Sequence, residues 1–321
     1  MMKKIYLGID VGSVSTNIVV LDEHNNVLHT SYIRTHGNPL KSVQDGLAAL
    51  REKLPAEIEV CGVGVTGSAR YLIAAMVSAD IIKNEITAHA IAATHFYPNV
   101  RTIIEIGGQD SKVILLEDGI VTDFAMNNVC AAGTGSFLDQ QSTRLGIPIE
   151  EFGSRALESS TEVRIAGRCT VFAESDMVHK QQLGYTINDI INGLCEALVR
   201  NYFSTVAKGK AMHVPILFQG GVAANKGIEA AFKKYLGKDI IIPKYYDVMG
   251  AIGAALLAKD AMGKEKSRFK GFQINEFIFK TTSFTCKDCA NHCEIVEFWQ
   301  DGKRIALFGD KCGKYNDAQI E

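Results

Sequence analysis

The chain lacks an excess of charge of either sign. Its 321 residues include 34 Lys and Arg against 36 Asp and Glu, which gives a formal net charge of −2. A net charge this close to zero gives no reason to expect nucleic acid or a membrane surface as a binding partner. We therefore expect neither nucleic acid nor a membrane as a partner.

Long apolar runs are also missing. No stretch of about eighteen apolar residues, the length that a membrane helix needs, occurs in the sequence. An acidic residue, Asp10, interrupts the N-terminal segment before the apolar core of a signal peptide could form. These absences predict a cytoplasmic protein. In that compartment, eight cysteines favour metal or redox chemistry over a disulfide framework.

Two of those cysteines share a sequence pattern. Cys130 precedes a run of small residues that leads into Phe137-Leu138, and Cys169 precedes a segment rich in helix formers. Each pattern predicts a cysteine at the N-terminus of a helix. There, backbone N–H groups and a partial positive charge stabilise a thiolate and an anionic iron–sulfur cluster. Two ligands are too few for a four-iron cluster, but a homodimer would supply four; ordinary buried cysteines are the alternative.

The first glycine-rich segment is a candidate phosphate-binding loop. Residues 5–22 predict two strands joined by a tight turn, with Asp10 just beyond the first apolar run. Gly12 would let backbone N–H groups approach a phosphate, and Asp10 could hold a hydrated Mg²⁺. The neighbouring hydroxyls that could donate to the phosphate are Ser13, Ser15 and Thr16. A glycine-rich hairpin without a ligand is the alternative.

A second segment repeats this design and implies a duplicated fold. Residues 101–116 again combine a strand, an acidic residue, a glycine turn and a strand, with Glu105 followed by Gly107-Gly108. A third glycine-rich segment, with the pair Gly220-Gly221, joins a buried strand to a helix and would let an adenine or ribose lie against the backbone. Residues 247–258 predict a helix of small residues, suited to close crossing of another helix.

The ordered set of glycine motifs resembles the ATPase superfamily that sugar kinases, actin and the heat-shock chaperones share. The two cysteine motifs narrow this resemblance to the activator (component A) family of 2-hydroxyacyl-CoA dehydratases, which is related to the ATPase subunits of benzoyl-CoA reductase. The resemblance covers roughly residues 4–260. The segments that carry it are 8–13, 105–110, 218–221 and 250–255 for the superfamily, and 128–135 and 169–174 for the activator family.

The resemblance implies an architecture. We expect an α/β chain with the duplicated, two-lobed ATPase fold of the sugar kinase and actin type, followed by a small Cys-rich extension. The expected first lobe is 1–98, completed by the helix at 247–262. The expected second lobe is 99–246 and carries the cluster cysteines, and 263–321 is the β-rich extension.

The resemblance also implies an activity, cofactors and partners. It predicts a homodimer that binds ATP or ADP with Mg²⁺ and holds one bridging [4Fe-4S] cluster on Cys130 and Cys169 of both chains. Hydrolysis would drive a low-potential electron to a partner iron–sulfur enzyme, with ferredoxin or flavodoxin as the electron source. Asp10 and Glu105 match the catalytic acids, and Gln109 is the alternative for positioning the attacking water. The implied nucleotide-binding residues are Gly12, Ser13, Ser15, Thr16, Gly107, Gly108, Asp110, Lys112, Gly220, Gly221 and Asn225.

The C-terminal extension adds four cysteines in a C-x2-C-x3-C…C pattern. They are Cys286, Cys289, Cys293 and Cys312, in a region similar to the one that follows the activator domain in longer activator-like proteins, including ATP-dependent reductases of double-cubane-cluster proteins. A tail too small for its own core predicts a metal staple, either Zn²⁺ or a further iron–sulfur centre. Disulfides or free thiols are the alternative, and His292 is an alternative ligand.

Two other functions on the same scaffold stay open at this point. A sugar or small-acid kinase would have no use for the cysteine pair, and in an actin-like or chaperone-type ATPase the cysteines would be incidental. Brown colour after anaerobic purification would favour the activator over both. Elsewhere, Glu85 and His89 share one face of a predicted helix, and we interpret them as structural because no third ligand is evident.

Overall fold

The computed structural model describes residues 2–127, 131–167, 169–263 and 265–315. Two units emerge, one of Met1–Ile91 with Gly250–Glu321 and one of Ala92–Met249. Each unit has its own sheet and its own hydrophobic core.

The first unit is built on a five-stranded sheet of order β3-β2-β1-β4-β5. Strands β1, β2 and β3 form an antiparallel meander, and β4 runs parallel to β1 on its other side. The strands are β1 (Lys3–Val11), β2 (Ser15–Asp22), β3 (Val27–Arg34), β4 (Ile58–Thr66) and β5 (Ile81–Ile82). The helices are α1 (Pro39–Lys53), α2 (Arg70–Val77) and α3 (Glu85–Phe96), the last of which begins in this unit.

The second unit is built on a four-stranded sheet of order β8-β7-β6-β9. The strands are β6 (Thr102–Ile106), β7 (Ser111–Glu117), β8 (Ile120–Asn127) and β9 (Ile216–Gln219). The helices are α4 (Gly135–Leu145), α5 (Ile149–Leu157), α6 (Thr170–Gln182), α7 (Ile187–Thr205) and α8 (Lys226–Leu236). Helix α7 begins with a capping box in which Thr186 and Asp189 exchange hydrogen bonds, so its start is fixed by local sequence.

The two sheets share one topology, which confirms the duplication inferred from the sequence. In both, an antiparallel meander of three strands has a parallel strand beside its first member. Asp10 on β1 and Glu105 on β6 occupy equivalent places, because each lies in register between the second strand of its meander and the parallel strand. The mixed α/β fold class is therefore confirmed.

Helix α9 (Met249–Met262) packs against the sheet of the first unit through glycines. A Cβ on Gly8 would lie 1.8 Å from the Ala251 carbonyl oxygen, and a Cβ on Gly64 would lie 2.0 Å from the Ala254 carbonyl oxygen. On another side, a Cβ on Gly253 would lie 1.8 Å from the carbonyl oxygen of Ala88 on α3. The predicted close crossing by a small-residue helix is confirmed.

The C-terminal segment adds a separate antiparallel sheet of order β10-β11-β12 to the first unit. Its strands are β10 (Phe279–Thr285), β11 (Glu294–Gln300) and β12 (Lys303–Phe308). Phe298 on β11 belongs to the core of this unit, so one end of the small sheet is anchored there. In the described ranges, no helix combines the length and the apolar character needed to cross a bilayer.

Candidate functional site

Asp10 lies in a row of polar side chains across the first sheet. It pairs in register with Asn17 on β2 and with Thr66 on β4, and directly opposed residues project from the same face of a sheet. The Asn17 Oδ1 and Thr66 Oγ1 atoms are buried and have no hydrogen-bond partner within the described residues. Buried oxygens of this kind normally bind a water or an ion. The row therefore has unused acceptor capacity beside a carboxylate.

The first turn of α9 closes this site from one side. A Cβ on Gly250 would lie 2.2 Å from Asp10 Oδ2 and 3.3 Å from His89 Nε2, so both side chains face the same glycine Cα. The partial positive charge of a helix N-terminus stabilises a carboxylate placed against it. His89 is buried on α3. The sequence suggested only a structural role for this residue, whereas the structure places its Nε2 atom beside the same glycine as the Asp10 carboxylate.

The residues around Asp10 fit a hydrated Mg²⁺. A carboxylate, an amide oxygen and a hydroxyl are hard oxygen ligands, which Mg²⁺ prefers. The ion usually keeps several of its waters, and these waters can donate hydrogen bonds to the same oxygens. Asn17 Oδ1 and Thr66 Oγ1, which have no hydrogen-bond partner among the described residues, support a bound, hydrated ion at this place. Sequence analysis missed Asn17 and Thr66; Thr66, at the end of an apolar run and before Gly67, is the stronger of the two signals.

Not every hydroxyl of the first hairpin is brought to Asp10. Gly12 N donates to the Ser15 carbonyl oxygen at 2.9 Å, which closes the turn, and Ser13 is exposed there. The Thr16 hydroxyl is buried and lies 3.1 Å from Thr35 Oγ1. Because side chains alternate along a strand, Thr16 projects from the face of the sheet opposite to that of Asn17 and Asp10.

In the second unit, the equivalent acid is held by a buried lysine. Lys112 Nζ donates to Glu105 Oε2 and to Asp110 Oδ2, both at 2.8 Å. The Lys112 side chain is only 2% exposed, so this is an ion pair shielded from solvent. Removing one partner of such a pair would leave an uncompensated buried charge, which is strongly destabilising. Gln109 lies exposed in the same turn.

The two glycine segments of the second unit lie side by side. Gly220 has a φ of 89°, and a Cβ there would lie 2.4 Å from the Ile106 carbonyl oxygen and 2.7 Å from Glu105 Oε1. A residue with a side chain is therefore excluded at this position by both conformation and space. Gly107 N donates to the Asp110 carbonyl oxygen at 3.0 Å. Gly107 and Gly220, one from each segment, thus both approach the Glu105 carboxylate.

Gly221 and Asn225 bracket the start of α8. Gly221 opens a 3₁₀ turn, Gly221–Ala224, and Asn225 caps the helix by accepting a hydrogen bond from Ile228 N at 3.1 Å. The Asn225 Nδ2 atom is buried without a partner among the described residues. The Asn225 side chain therefore caps α8 through its amide oxygen, while its amide N–H group has no partner among the described residues.

The turn after Glu105 is fastened directly to helix α4. Gly135 N donates to the Gly107 carbonyl oxygen at 2.9 Å, and Ser136 N donates to the Gly108 carbonyl oxygen at 2.8 Å. The Ser136 hydroxyl donates to the same Gly108 carbonyl at 2.6 Å. A displacement of this turn must therefore move the first turn of α4 with it.

Of the two predicted cluster ligands, Cys130 lies outside the described residues. Cys169 is described as the N-cap of α6, with extended backbone and no side-chain cap hydrogen bond, so the predicted helix start is confirmed there. Val171 and Phe172, in the first turn of α6, are 67% and 66% exposed.

The other cysteines have different surroundings. Burial raises the pKa of the Cys195 thiol well above its ordinary value, so this residue stays neutral in the core. Cys61, half-buried on β4, also has a raised pKa because of burial. In the part of the chain that the structure describes, no three or more His, Cys, Asp or Glu side chains come close enough to hold a metal ion as placed.

Each of the two duplicated sheets carries an acidic residue and a glycine turn on its first hairpin, which is the arrangement that the sequence predicted for a duplicated ATPase fold. The chain belongs to the BadF/BadG/BcrA/BcrD ATPase family, whose sequence model matches residues 7–258. The match ends within α9 and leaves the C-terminal sheet uncovered.

Relatives of known activity are similar over the same region. The (R)-2-hydroxyglutaryl-CoA dehydratase activating ATPase of Acidaminococcus fermentans is 33% identical over 255 residues, which is 78% of this chain and 96% of that protein. The 2-hydroxyisocaproyl-CoA dehydratase activator of Clostridioides difficile is 33% identical over 266 residues, or 82% and 98%. A solved structure of the activator of the 2-hydroxyisocaproyl-CoA dehydratase from Clostridium difficile, with bound ADPNP, has a TM-score of 0.73 and covers 80% of this chain and 95% of that one.

Proposed function

We propose that this ATPase is an activator that couples ATP hydrolysis to the transfer of a low-potential electron to a partner iron–sulfur enzyme. The partner would be of the 2-hydroxyacyl-CoA dehydratase or double-cubane-cluster type. The observation that carries the proposal is the set of hydrogen bonds between the Gly107-Gly108 turn and the first turn of α4. They join a candidate phosphate turn to the helix that follows the Cys130 segment. A change at the nucleotide therefore has a direct path toward a cluster ligand.

In the first unit, Asp10 would hold Mg²⁺ through water molecules. Asn17 Oδ1 and Thr66 Oγ1 would form hydrogen bonds with the same water molecules. When bound, the ion would neutralise charge on the phosphates. The first turn of α9 lies against the Asp10 carboxylate, where the partial positive charge of a helix N-terminus favours a negative charge.

In the second unit, Gly107, Gly108, Gly220 and Gly221 would present backbone to the phosphates and nucleoside. Lys112 fixes Glu105 and Asp110, and so sets the position of the carboxylate that would orient a water. Because the Lys112 ammonium is buried between two carboxylates, we assign it to positioning Glu105 in addition to the nucleotide contact expected from the sequence.

The cluster would lie on the two-fold axis of a homodimer. Cys169 at the start of α6, and Cys130 from the undescribed segment, would each contribute one thiolate per chain, which completes four ligands. The exposed Val171 and Phe172 supply apolar surface for a second copy or for the electron acceptor to cover. Iron and acid-labile sulfide analysis of anaerobic protein, measured beside the mass of the dimer, tests this part of the proposal.

We expect Thr66→Val to weaken metal binding without destabilising the fold. The Thr66 hydroxyl is buried and unpartnered within the described residues, so a methyl group in its place removes an unsatisfied polar atom. The loss of one hydrogen bond to the water shell should weaken the affinity for Mn²⁺ with ADP by roughly tenfold. Electron paramagnetic resonance measures that affinity, and thermal unfolding of nucleotide-free protein measures stability.

Thr30→Val is the matched control, because Thr30 is exposed on β3 of the same sheet. It should leave the Mn²⁺ affinity unchanged. An unchanged affinity in Thr66→Val, or a clear fall in its melting temperature without nucleotide, would remove Thr66 from the metal site.

We also expect Ser136→Ala to reduce the coupling between nucleotide and cluster. In the wild type, an ATP analogue should change the rate of iron chelation or the cluster potential, and couplings between linked sites are usually about 1–3 kcal/mol. The variant loses one of the three hydrogen bonds between α4 and the Gly107-Gly108 turn, worth about 1 kcal/mol. The difference in chelation rate between the nucleotide-free and analogue-bound states should therefore shrink.

Ser154→Ala is the control, since its hydroxyl donates to a carbonyl of its own helix, α5, in the same unit. That variant should keep the wild-type response. If nucleotide has no effect on chelation or potential in the wild type, ATP acts elsewhere, and the proposed path through α4 is wrong.

A further inference from the structure

Two cysteine-bearing loops lie at the same end of the C-terminal sheet. The first connects β10 to β11, and Cys286 N donates to the Cys293 carbonyl oxygen at 2.8 Å across its base. The second follows β12, whose last residue Phe308 pairs with Val296 near the start of β11. A Cβ on Gly309 would lie 2.5 Å from the carbonyl oxygen of Glu294, so the second loop starts against the end of the first.

Side chains fasten the two loops to each other. Lys314 of the second loop forms an ion pair with Asp288 of the first, and the Tyr315 hydroxyl lies 3.5 Å from the same Asp288 carboxylate. Within the second loop, Tyr315 N donates to Asp310 Oδ2 at 3.2 Å. Cys312 is thereby held beside the loop that carries the other three cysteines, although it is distant from them in sequence.

The apolar content at this end of the sheet is small. Cys286, Cys293 and Ile295 form a buried cluster, against which Leu307 and Tyr315 pack. A cluster of this size contributes little hydrophobic stabilisation at this end of the sheet, and a metal ion is one means of holding loops together where the apolar core is small. None of the cysteines in the described part of the chain is in a disulfide.

We propose that Cys286, Cys289, Cys293 and Cys312 form a structural Zn²⁺ site that holds the two loops together. Four thiolates are a complete tetrahedral set for this ion. Cys289 and Cys312 are exposed, which suits zinc, because it has no redox chemistry, better than an oxidisable iron–sulfur cluster. Gly309 and Gly313, with φ of 113° and 83°, provide the tight turns on either side of Cys312.

Metal binding requires a local rearrangement of the thiols. In the structure, Cys286 Sγ and Cys312 Sγ each lie 3.5 Å from a carboxylate of their own loop, Asp288 and Asp310 respectively. The side chains must turn from these carboxylates toward a common centre, and each thiol releases its proton to solvent as it becomes a ligand. The Lys314–Asp288 ion pair and the Tyr315 contact already hold the two loops together, so the rearrangement is confined to the cysteine side chains and their immediate neighbours.

The test is the zinc content of full-length protein purified anaerobically with zinc and freed of loose metal by gel filtration. The wild type should retain about one zinc per chain, and Cys289→Ser and Cys312→Ser should retain almost none. Both residues are exposed, so these variants should still fold. Cys61→Ser is the matched control, because Cys61 lies on β4, outside the extension, and it should retain zinc as the wild type does. Cobalt substitution should give thiolate-to-cobalt charge-transfer absorbance that both variants lose.

Equal zinc content in the wild type and both variants, or cobalt spectra without thiolate bands, would overturn the proposal. A second outcome would also overturn the proposal: wild-type protein that holds iron but no zinc in the extension, and that loses this iron in Cys312→Ser. That outcome would indicate an iron–sulfur centre. The proposed activator function is tested independently, because the cluster assigned to Cys130 and Cys169 should keep its iron and sulfide in Cys312→Ser.

Discussion

Asp10→Asn should lower Mg²⁺-dependent ATP hydrolysis by about 10²- to 10³-fold, the usual cost of removing one charge-stabilising group from such a site. The substitution keeps the shape of the side chain but removes its negative charge from the polar row with Asn17 and Thr66. ATP binding should fall much less, because the backbone glycines belong to other segments. Steady-state hydrolysis and binding of a fluorescent ATP analogue measure the two effects separately.

Asp45→Asn is the matched control for this result. Asp45 lies on α1 of the same unit in an exposed ion pair with Lys41, and such pairs contribute little to stability. It should hydrolyse ATP at the wild-type rate. Turnover by Asp10→Asn equal to that of Asp45→Asn would exclude Asp10 from the catalytic machinery and leave the Mg²⁺ site without its carboxylate.

The second large effect is expected from Cys169→Ala, which should abolish the cluster. Iron and acid-labile sulfide should fall from about four of each per dimer to near zero, because two of four ligands disappear when both copies are changed. Brown colour and electron transfer to a partner iron–sulfur enzyme should disappear with them. ATP hydrolysis should persist, since Cys169 caps α6 through its backbone and its side chain makes no cap hydrogen bond.

Cys61→Ala is the control for that experiment, because Cys61 is a half-buried thiol in the other unit. Cys130→Ala should give the same result as Cys169→Ala. A Cys169→Ala dimer that retains about four irons with unchanged absorbance would disprove the bridging arrangement. A variant that loses ATP hydrolysis together with iron would indicate misfolding, and its circular dichroism spectrum would show this.

The hairpin motifs are the part of the fold that the sequence predicted best. An acidic residue after an apolar run, followed by a glycine turn, occurs around both Asp10 and Glu105, and the structure forms a strand pair at each. Such patterns are local: alternation, turn glycines and chain direction all act within a few residues. Small residues in α9 likewise predicted close packing, which Gly8 and Gly253 confirm.

Register is what the sequence could not supply. Thr16 and Asn17 are adjacent, and both were compatible with a polar turn, but side chains of a strand alternate between faces. Only the pairing of β1 with β2 and β4 decides that Asn17 and Thr66, rather than Thr16, flank Asp10. A slip of one residue would reverse that choice.

By itself, the sequence determined which chemistry the chain carries: two acidic glycine hairpins, two cysteines before helix starts, and four cysteines in the extension. These are properties of residue types and of spacings within one segment. The tertiary structure alone decided which segments touch: the Gly107-Gly108 turn on α4, Thr66 beside Asp10, and Cys312 beside the loop of Cys286. Contacts between distant segments depend on strand order and packing of the whole unit, and no local pattern of residues encodes them.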